Sequence, residues 1–325
     1  MDSENGDKAI LSVSGLRTYF FTKNGTVKAV DDISFDLRKG EILCIVGESG
    51  SGKTVTALSL LRLIEPPGRI VEGKIMFEEK NLLDIPISEM QKIRGNRIAM
   101  IFQDPHSSLN PVLTIGEQIT EAMTAHRNLA KSEAKAQTIE LLRLVEIPEP
   151  ERRFHEYPHQ FSGGMKQRVM VAMALACEPS VLIADEPTTA LDLTIQAQIL
   201  DLFMELRKKF SMSIIYITHD LGVVSELADR IAVMYGGRIM EKGRRDDVLK
   251  NPLHPYTRGL IDCLLSESEK LASIPGTIPN LIDLPEGCIF HPRCISAMDI
   301  CRTERPGSSK IETEHYVYCF RYGGR

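Results

Sequence analysis

Eight residues, Gly47-Glu48-Ser49-Gly50-Ser51-Gly52-Lys53-Thr54, match G-x-x-x-x-G-K-[ST] at every fixed position. They follow the apolar run Ile42–Val46 and precede Val55–Ile64, where apolar residues recur at helical spacing. A loop between a strand end and a helix N-terminus leaves backbone N–H groups pointing outward. Gly47, Gly50 and Gly52 let that backbone wrap a phosphate chain with Ser49 among them, and the helix dipole favours its charge. Lys53 is placed to reach the β- and γ-phosphates, and the Thr54 hydroxyl to ligate Mg²⁺. The chemistry implied is nucleoside triphosphate binding.

Further polar groups stand at the ends of apolar runs. Arg97–Phe102 ends on Gln103, whose neutral amide is placed for Mg²⁺ or an attacking water. Val181-Leu182-Ile183-Ala184 ends on Asp185 and Glu186, as a central parallel strand with carboxylates at its carboxyl edge would. Asp185 would hold Mg²⁺, and Glu186 would polarise a water for in-line attack on the γ-phosphate. Ser213–Thr218 delivers His219 to the same edge, where an imidazole can donate to γ-phosphate oxygens. Ser162-Gly163-Gly164 opens a second helix, with Ser162 as N-cap and two glycines baring the backbone N–H groups. Two anion-binding helix starts but one lysine-bearing loop point to a second nucleotide held by another subunit.

The elements that must position these groups are readable in outline. Ile10–Phe21 and Val27–Leu37 alternate apolar and polar residues around Asn24-Gly25, which predicts an antiparallel hairpin carrying Tyr19 and Phe20 toward the base of a bound nucleotide. Ile70–Asn81 predicts another short strand. Thr114 to about Glu146 is helical in spacing without a proline, and Pro148–Phe161 is a polar connection. After Tyr235 the pattern loosens.

Composition excludes little and directs attention inward. The 325 residues are 43% hydrophobic and 26% charged, ordinary for a globular protein, and a net charge of −5 with a pI near 6.0 offers no general attraction to nucleic acid. No stretch is apolar enough to span a bilayer, and the start Met1–Lys8 is polar and acidic, so a cytosolic chain is expected. Four of seven cysteines, Cys288, Cys294, Cys301 and Cys319, cluster near the end in a Pro-, Gly- and charge-rich segment expected to form little core. In a reducing compartment such clustering suggests metal ligation, by four thiolates or with His291, of Zn²⁺ or an iron–sulfur cluster. Cys44, Cys177 and Cys263 sit in apolar contexts.

Taken together in this order, the motifs over about Ile10–Asp247 resemble the nucleotide-binding subunit of an ABC transporter. The resemblance places the Walker A motif on Gly47–Thr54, the Q-loop on Gln103, the signature on Phe161–Gln167, Walker B on Val181–Glu186, the D-loop on Ala190-Leu191-Asp192 and the switch histidine on His219. Its adenine-stacking aromatic aligns with Phe20. The signature reads Phe-Ser-Gly-Gly-Met where the family often has Leu-Ser-Gly-Gly-Gln, and Thr189 stands for a common Ser. Asn251-Pro252-Leu253-His254-Pro255-Tyr256-Thr257 and the cysteine tail look like the longer ATPase subunit of oligopeptide/dipeptide importers.

This resemblance implies an α/β P-loop NTPase: a mixed or parallel RecA-like core, an antiparallel β subdomain, a helical subdomain at about 106–178, and a small C-terminal metal-binding extension. The nucleotide-binding domain would span 1–250 and the extension 251–325. It further implies ATP and Mg²⁺ as cofactors, with Thr54, Gln103 and Asp185 around the metal, and a [4Fe–4S] cluster on the four cysteines, zinc being the alternative. The expected partners are two membrane permease subunits, a second ATPase subunit in a heterodimer (a homodimer in isolation) and, indirectly, an extracellular solute-binding protein, with no nucleic acid. The site would be the cytoplasmic face of the membrane and the work peptide import. Import of nickel or another small solute, a non-transport ABC ATPase and a metal-sensing regulator are the rival readings.

Overall fold

A computed structural model describes residues 9–104, 108–189, 191–265 and 274–324. Met1–Lys8 and Ala190 lie outside them. The chain divides into two units, one formed by the residues up to 84 with those from 217 onward, the other by residues 85–216.

In the first unit the expected hairpin is present. Ala9–Thr22 pairs antiparallel with Gly25–Arg38, the last partners being Thr22 and Gly25. Gly68–Phe77 pairs on the other side of Ala9–Thr22, and Lys80–Asn81 follows it at the edge. Alternation buries Leu11, Val13, Ile33, Phe35 and Ile75, so one face of this sheet is core. A second set of strands runs in the order Ser309–Lys310, Tyr316–Val317, Arg238–Arg244, Arg230–Tyr235 and Ile42–Val46. Only the last pair is parallel, with Val46 opposite Val233. Ile42–Val46 is buried throughout, which explains its unbroken apolar sequence.

Two expectations for the C-terminal part are corrected. The pattern after Tyr235 does not loosen: Gly236 and Gly237, both in the left-handed region, turn the chain into Arg238–Arg244, which pairs antiparallel with Arg230–Tyr235. That strand reads as polar because it hides a carboxylate. Glu241 is fully buried and accepts from the backbone N–H groups of Leu253 (2.9 Å) and His254 (2.8 Å), with His315 Nε2 at 2.7 Å. The tail also has a core. Ile289, Phe290 and Val317 are buried, and the Phe290 ring lies 5.2 Å from Tyr235 and 5.4 Å from Tyr256.

In the second unit Ile98–Ile101 runs parallel to Val181–Asp185, with Ile101 opposite Ala184, and the strand Ser213–Thr218 begins on the other side of Val181–Asp185. The helical stretch from Thr114 is two helices rather than one, Ile115–Thr124 and Lys131–Leu144. Thr114 and Glu117 form a reciprocal capping box at the first start. The break follows from burial: Ile115, Ile119 and Met123 form one apolar stripe, Ala134, Thr138 and Leu142 another, and both helices pack on Gly163–Leu175. One straight helix could not lay both stripes on the same neighbour. The polar connection before Phe161 contains a short helix, Pro150–Arg153, and a 3₁₀ turn, Pro158–Gln160.

The segment after Lys250 carries a pH signature. Burial pushes the His254 imidazole down to about 4, Glu241 opposing, and its Nδ1 accepts from the Tyr256 N–H at 3.1 Å, so the neutral form is the one built in. The unfolded chain, with a histidine near 6.5, takes up the proton first. This contribution to stability is therefore complete above pH 6.5 and lost as pH falls toward 4, amounting to about 3 kcal/mol at most. Urea midpoints measured across that window should fall more steeply for the parent chain than for His254→Asn; parallel slopes would refute the assignment.

Candidate functional site

The loop Gly47–Thr54 belongs to the first unit, and steric exclusion dictates its glycines. A Cβ on Gly47 would sit 2.1 Å from the Met234 carbonyl oxygen, and one on Gly52, at φ 101°, would sit 2.3 Å from that of Ala29. No side chain fits either gap. The loop leads into the helix Lys53–Leu60, which has no acid in its first turn, so its N–H groups and dipole are open to an anion. Lys53 is buried and donates to the carbonyls of Gly47 (2.8 Å) and Glu48 (3.0 Å). The Ser51 hydroxyl is buried without a hydrogen-bond partner among the described residues, while Ser49, Gly50 and Thr54 are exposed.

Of the two aromatics on the hairpin, Tyr19 is engaged elsewhere. Its hydroxyl donates to Asp31 at 2.7 Å, and burial together with that bond pushes its pKa up to about 12. Phe20 lies against Gly68, where an added Cβ would come within 2.6 Å of the ring. His219 follows the buried Thr218 and is exposed; Asp220 next to it caps Leu221–Leu227, accepting from Gly222 N at 2.8 Å.

The second unit holds the acids and the second helix start. Asp185 ends its strand at 2% exposure. Glu186 has φ 46°, a left-handed conformation that costs a non-glycine residue about 1–2 kcal/mol. Its carboxylate accepts from Gln103 Nε2 (3.1 Å) and from Thr189 Oγ1 (3.1 Å). Neutral donors orient the carboxylate, an arrangement suited to a general base. Thr189 supplies the hydroxyl that a serine would.

Ser162 caps Gly163–Leu175, accepting from Met165 N at 3.3 Å, and that helix too has no acid in its first turn. Gly163 faces open space except for Leu191 at 4.0 Å. A Cβ on Gly164, by contrast, would meet Ile195 Cγ2 at 2.8 Å, so Gly164 also serves helix packing. Asp192 caps Leu193–Phe210 by accepting from Ile195 N at 3.0 Å. Arg168, which no local signal in the sequence marks, anchors the signature helix through Val145 O (3.0 Å), Glu146 (2.7 Å) and Gln198 (3.2 Å).

The cysteine expectation is not met in full. Cys288, Cys301 and Cys319 are buried and Cys294 half-buried, all as free thiols. Burial pushes Cys288 up to about 11, with Cys301, Cys319 and Cys294 adding to the rise, and Cys294 and Cys319 shift the same way. The donors suit a thiophilic metal, yet among the described residues no three His, Cys, Asp or Glu side chains are arranged to hold one. A metal-binding extension is therefore not supported by this geometry.

The sequence gives no sign of the contacts that reach the phosphate loop from the tail. Arg293 Nη1 and Nη2 hold the Glu48 carboxylate at 2.7 and 3.1 Å, and the Tyr256 hydroxyl lies 2.9 Å from Glu48 N. These partners are separated by 245 and 208 positions, beyond any local pattern.

Residues 30–189 match the ABC transporter family, and residues 240–301 match the oligopeptide/dipeptide transporter C-terminal region. The oligopeptide transport ATP-binding protein AppD of Bacillus subtilis (strain 168) is 51% identical over 96% of this chain and 97% of its own. The dipeptide transport ATP-binding protein DppD of the same organism is 50% identical over 96% and 94%. Among solved structures, a dimeric ATP-binding cassette in a post-hydrolysis state bound to ADP and Pi superposes with a TM-score of 0.66 at 26% identity, covering 72% of this chain and 98% of that one. With half its residues shared over nearly its whole length, this chain belongs to the ATP-binding subunits of the oligopeptide/dipeptide family of ABC transporters, which are ATPases.

Proposed function

We propose that this chain powers import of di- or oligopeptides through a membrane permease. The observation that carries the reading is the union, in one chain, of a loop shaped for a triphosphate with a C-terminal region of the oligopeptide/dipeptide type. No helix among the described residues is long and apolar enough to cross a membrane, so the permease is taken to be other chains, two subunits with this one at their cytoplasmic face.

ATP binding draws two ATPase subunits head to tail, a heterodimer with a related chain or a homodimer in isolation. Ser162, Gly163 and Gly164 of each close on the phosphates held by Gly47, Ser49, Gly50, Gly52, Lys53 and Thr54 of the other; the unobstructed N-terminus of the signature helix supports this. Phe20 stacks on the adenine. Thr54, Gln103 and Asp185 would hold Mg²⁺, which would neutralise charge on the β- and γ-phosphates. Glu186 takes the proton of the attacking water, His219 donates to the γ-phosphate, and Asp192 reaches across from the partner. The support for Glu186 is its carboxylate, aimed by Gln103 and Thr189 beside a buried acid. The cysteine tail, in this reading, draws Cys288, Cys294, Cys301 and Cys319 together around a [4Fe–4S] cluster; the support is that Cys301, Cys319 and Cys294 all lie near enough to Cys288 to raise its pKa.

Glu186→Gln should bind ATP with parental affinity and hydrolyse it roughly 10²–10⁴-fold more slowly in single-turnover assays. A parental rate removes Glu186 from the role of base. For the tail, anaerobic purification should yield iron and acid-labile sulfide in equal amounts; zinc without sulfide overturns the cluster. Purification from membranes should recover two permease subunits, and a permease-free complex would contradict the transport role.

A further inference from the structure

Glu48, the second residue of the phosphate loop, has each of its polar groups held. Its carboxylate takes Arg293 Nη1 and Nη2 at 2.7 and 3.1 Å, its N–H donates to the Tyr256 hydroxyl at 2.9 Å, and its carbonyl accepts from Lys53 Nζ at 3.0 Å and Ser51 N at 3.2 Å. Two of these four partners come from the C-terminal part of the chain. Tyr256 is fully buried and the Arg293 side chain is 5% exposed, so neither is a surface contact that water would readily replace. Burial works against the charge of Arg293, and the bonds to Glu48 and Tyr235 outweigh it, raising its pKa.

Arg293 is itself tied on every side. Its Nε donates to Pro275 O at 2.8 Å, Nη2 to Ile274 O at 3.2 Å and Nη1 to the Tyr235 hydroxyl at 3.4 Å. The 3₁₀ turn His291–Arg293 that aims it is closed by the cysteine backbone at both ends. His291 N donates to Cys288 O at 3.0 Å, and Cys294 N donates to His291 O at 3.2 Å. The two cysteines whose thiols could change their bonding are thus the residues whose backbone closes the turn that carries the guanidinium.

The Lys53 tie is the one that nucleotide removes. For Lys53 to reach phosphates it must leave the Gly47 and Glu48 carbonyls, and Glu48 is then steadied from outside the loop by Arg293 and Tyr256. We propose that Glu48, Arg293 and Tyr256 form a clamp through which the four-cysteine segment positions the phosphate loop, so that the chemical state of that segment tunes ATP affinity. By linkage, ATP binding orders that segment in return. This rests on the loop being the ATP site; the clamp residues are assigned as positioning residues.

The test is amide hydrogen exchange of the full chain as purified, followed by mass spectrometry of the peptides spanning 288–301 with and without saturating ATP. ATP should slow exchange there in the parent, and Glu48→Gln should abolish the slowing even when the ATP concentration is raised to restore full occupancy. Tyr256→Phe and Arg293→Lys, which keep most of the packing and the charge, should each weaken ATP binding on the order of tenfold, within the usual range of intersite coupling. Glu48→Gln with Arg293→Lys together should weaken it no more than the worse single change. Unchanged exchange in a parent chain that binds ATP overturns the clamp alone, as does slowing that survives in Glu48→Gln. A parent chain that bound no ATP would overturn the clamp together with the nucleotide-site reading.

Discussion

The phosphate loop depends on two close approaches of bare backbone. Gly47 and Gly52 lie so near the carbonyls of Met234 and Ala29 that a single methyl group at either position would overlap an oxygen. Ala29 lies on the hairpin strand Gly25–Arg38, and Met234 on the strand parallel to Ile42–Val46. The loop is thus gripped by both sheets of its unit, and its shape is set before any ligand arrives. A preformed loop spares binding the cost of ordering several residues, each about 1–2 kcal/mol.

Buried ion clusters align the sheets that make this grip. Asp31, beside Ala29 on the hairpin, receives Arg238 through two nitrogens at 2.9 and 2.6 Å, Arg305 at 2.8 Å and the Tyr19 hydroxyl. Arg230 bridges Asp36 at 2.9 Å and Glu41 at 3.3 Å. Such pairs give modest net stability, since desolvation offsets much of the attraction, but a shifted register would leave charges buried and unpaired. Their physical effect is to specify which strand residues meet. Glu314 extends the same logic to the tail: bonds from Arg38 and Arg244 hold its carboxyl down at about 2.

What was legible in the sequence was whatever local pattern encodes. Asn24-Gly25 marked the hairpin turn, unbroken apolar runs marked Ile42–Val46 and Val181–Asp185, and Ser162 lies where a cap is needed. The joining of Gln103 to Glu186 was foreshadowed only by each ending a strand, and the two strands proved to be parallel neighbours. Glu241 was unreadable because a charged residue amid Arg238–Arg244 looks like solvent-facing polarity; its partners are two backbone N–H groups and a distant histidine. Arg293 was unreadable for the same reason. A side chain whose partners are far away in sequence leaves no periodicity, and the tail's core went unseen because Ile289 and Phe290 are too short a run to form a recognisable element.

Lys53 shows how the loop is built for an anion. Its ammonium is buried, a buried cation needs acceptors, and it donates to two carbonyls of its own loop. A hydrogen bond to a charged group contributes about 1.5–3 kcal/mol, and a phosphate oxygen in their place adds full opposite charge to the same geometry. The exchange is favourable because the lysine is already desolvated and already directed into the loop. Glu186 stores strain in the complementary way, in a left-handed backbone tolerated because Gln103 and Thr189 hold its side chain. The cation is buried with its acceptors in its own loop, and the carboxylate is held in a conformation its own backbone disfavours; both groups are fixed in place by the fold, so that orienting them is not a cost met during reaction.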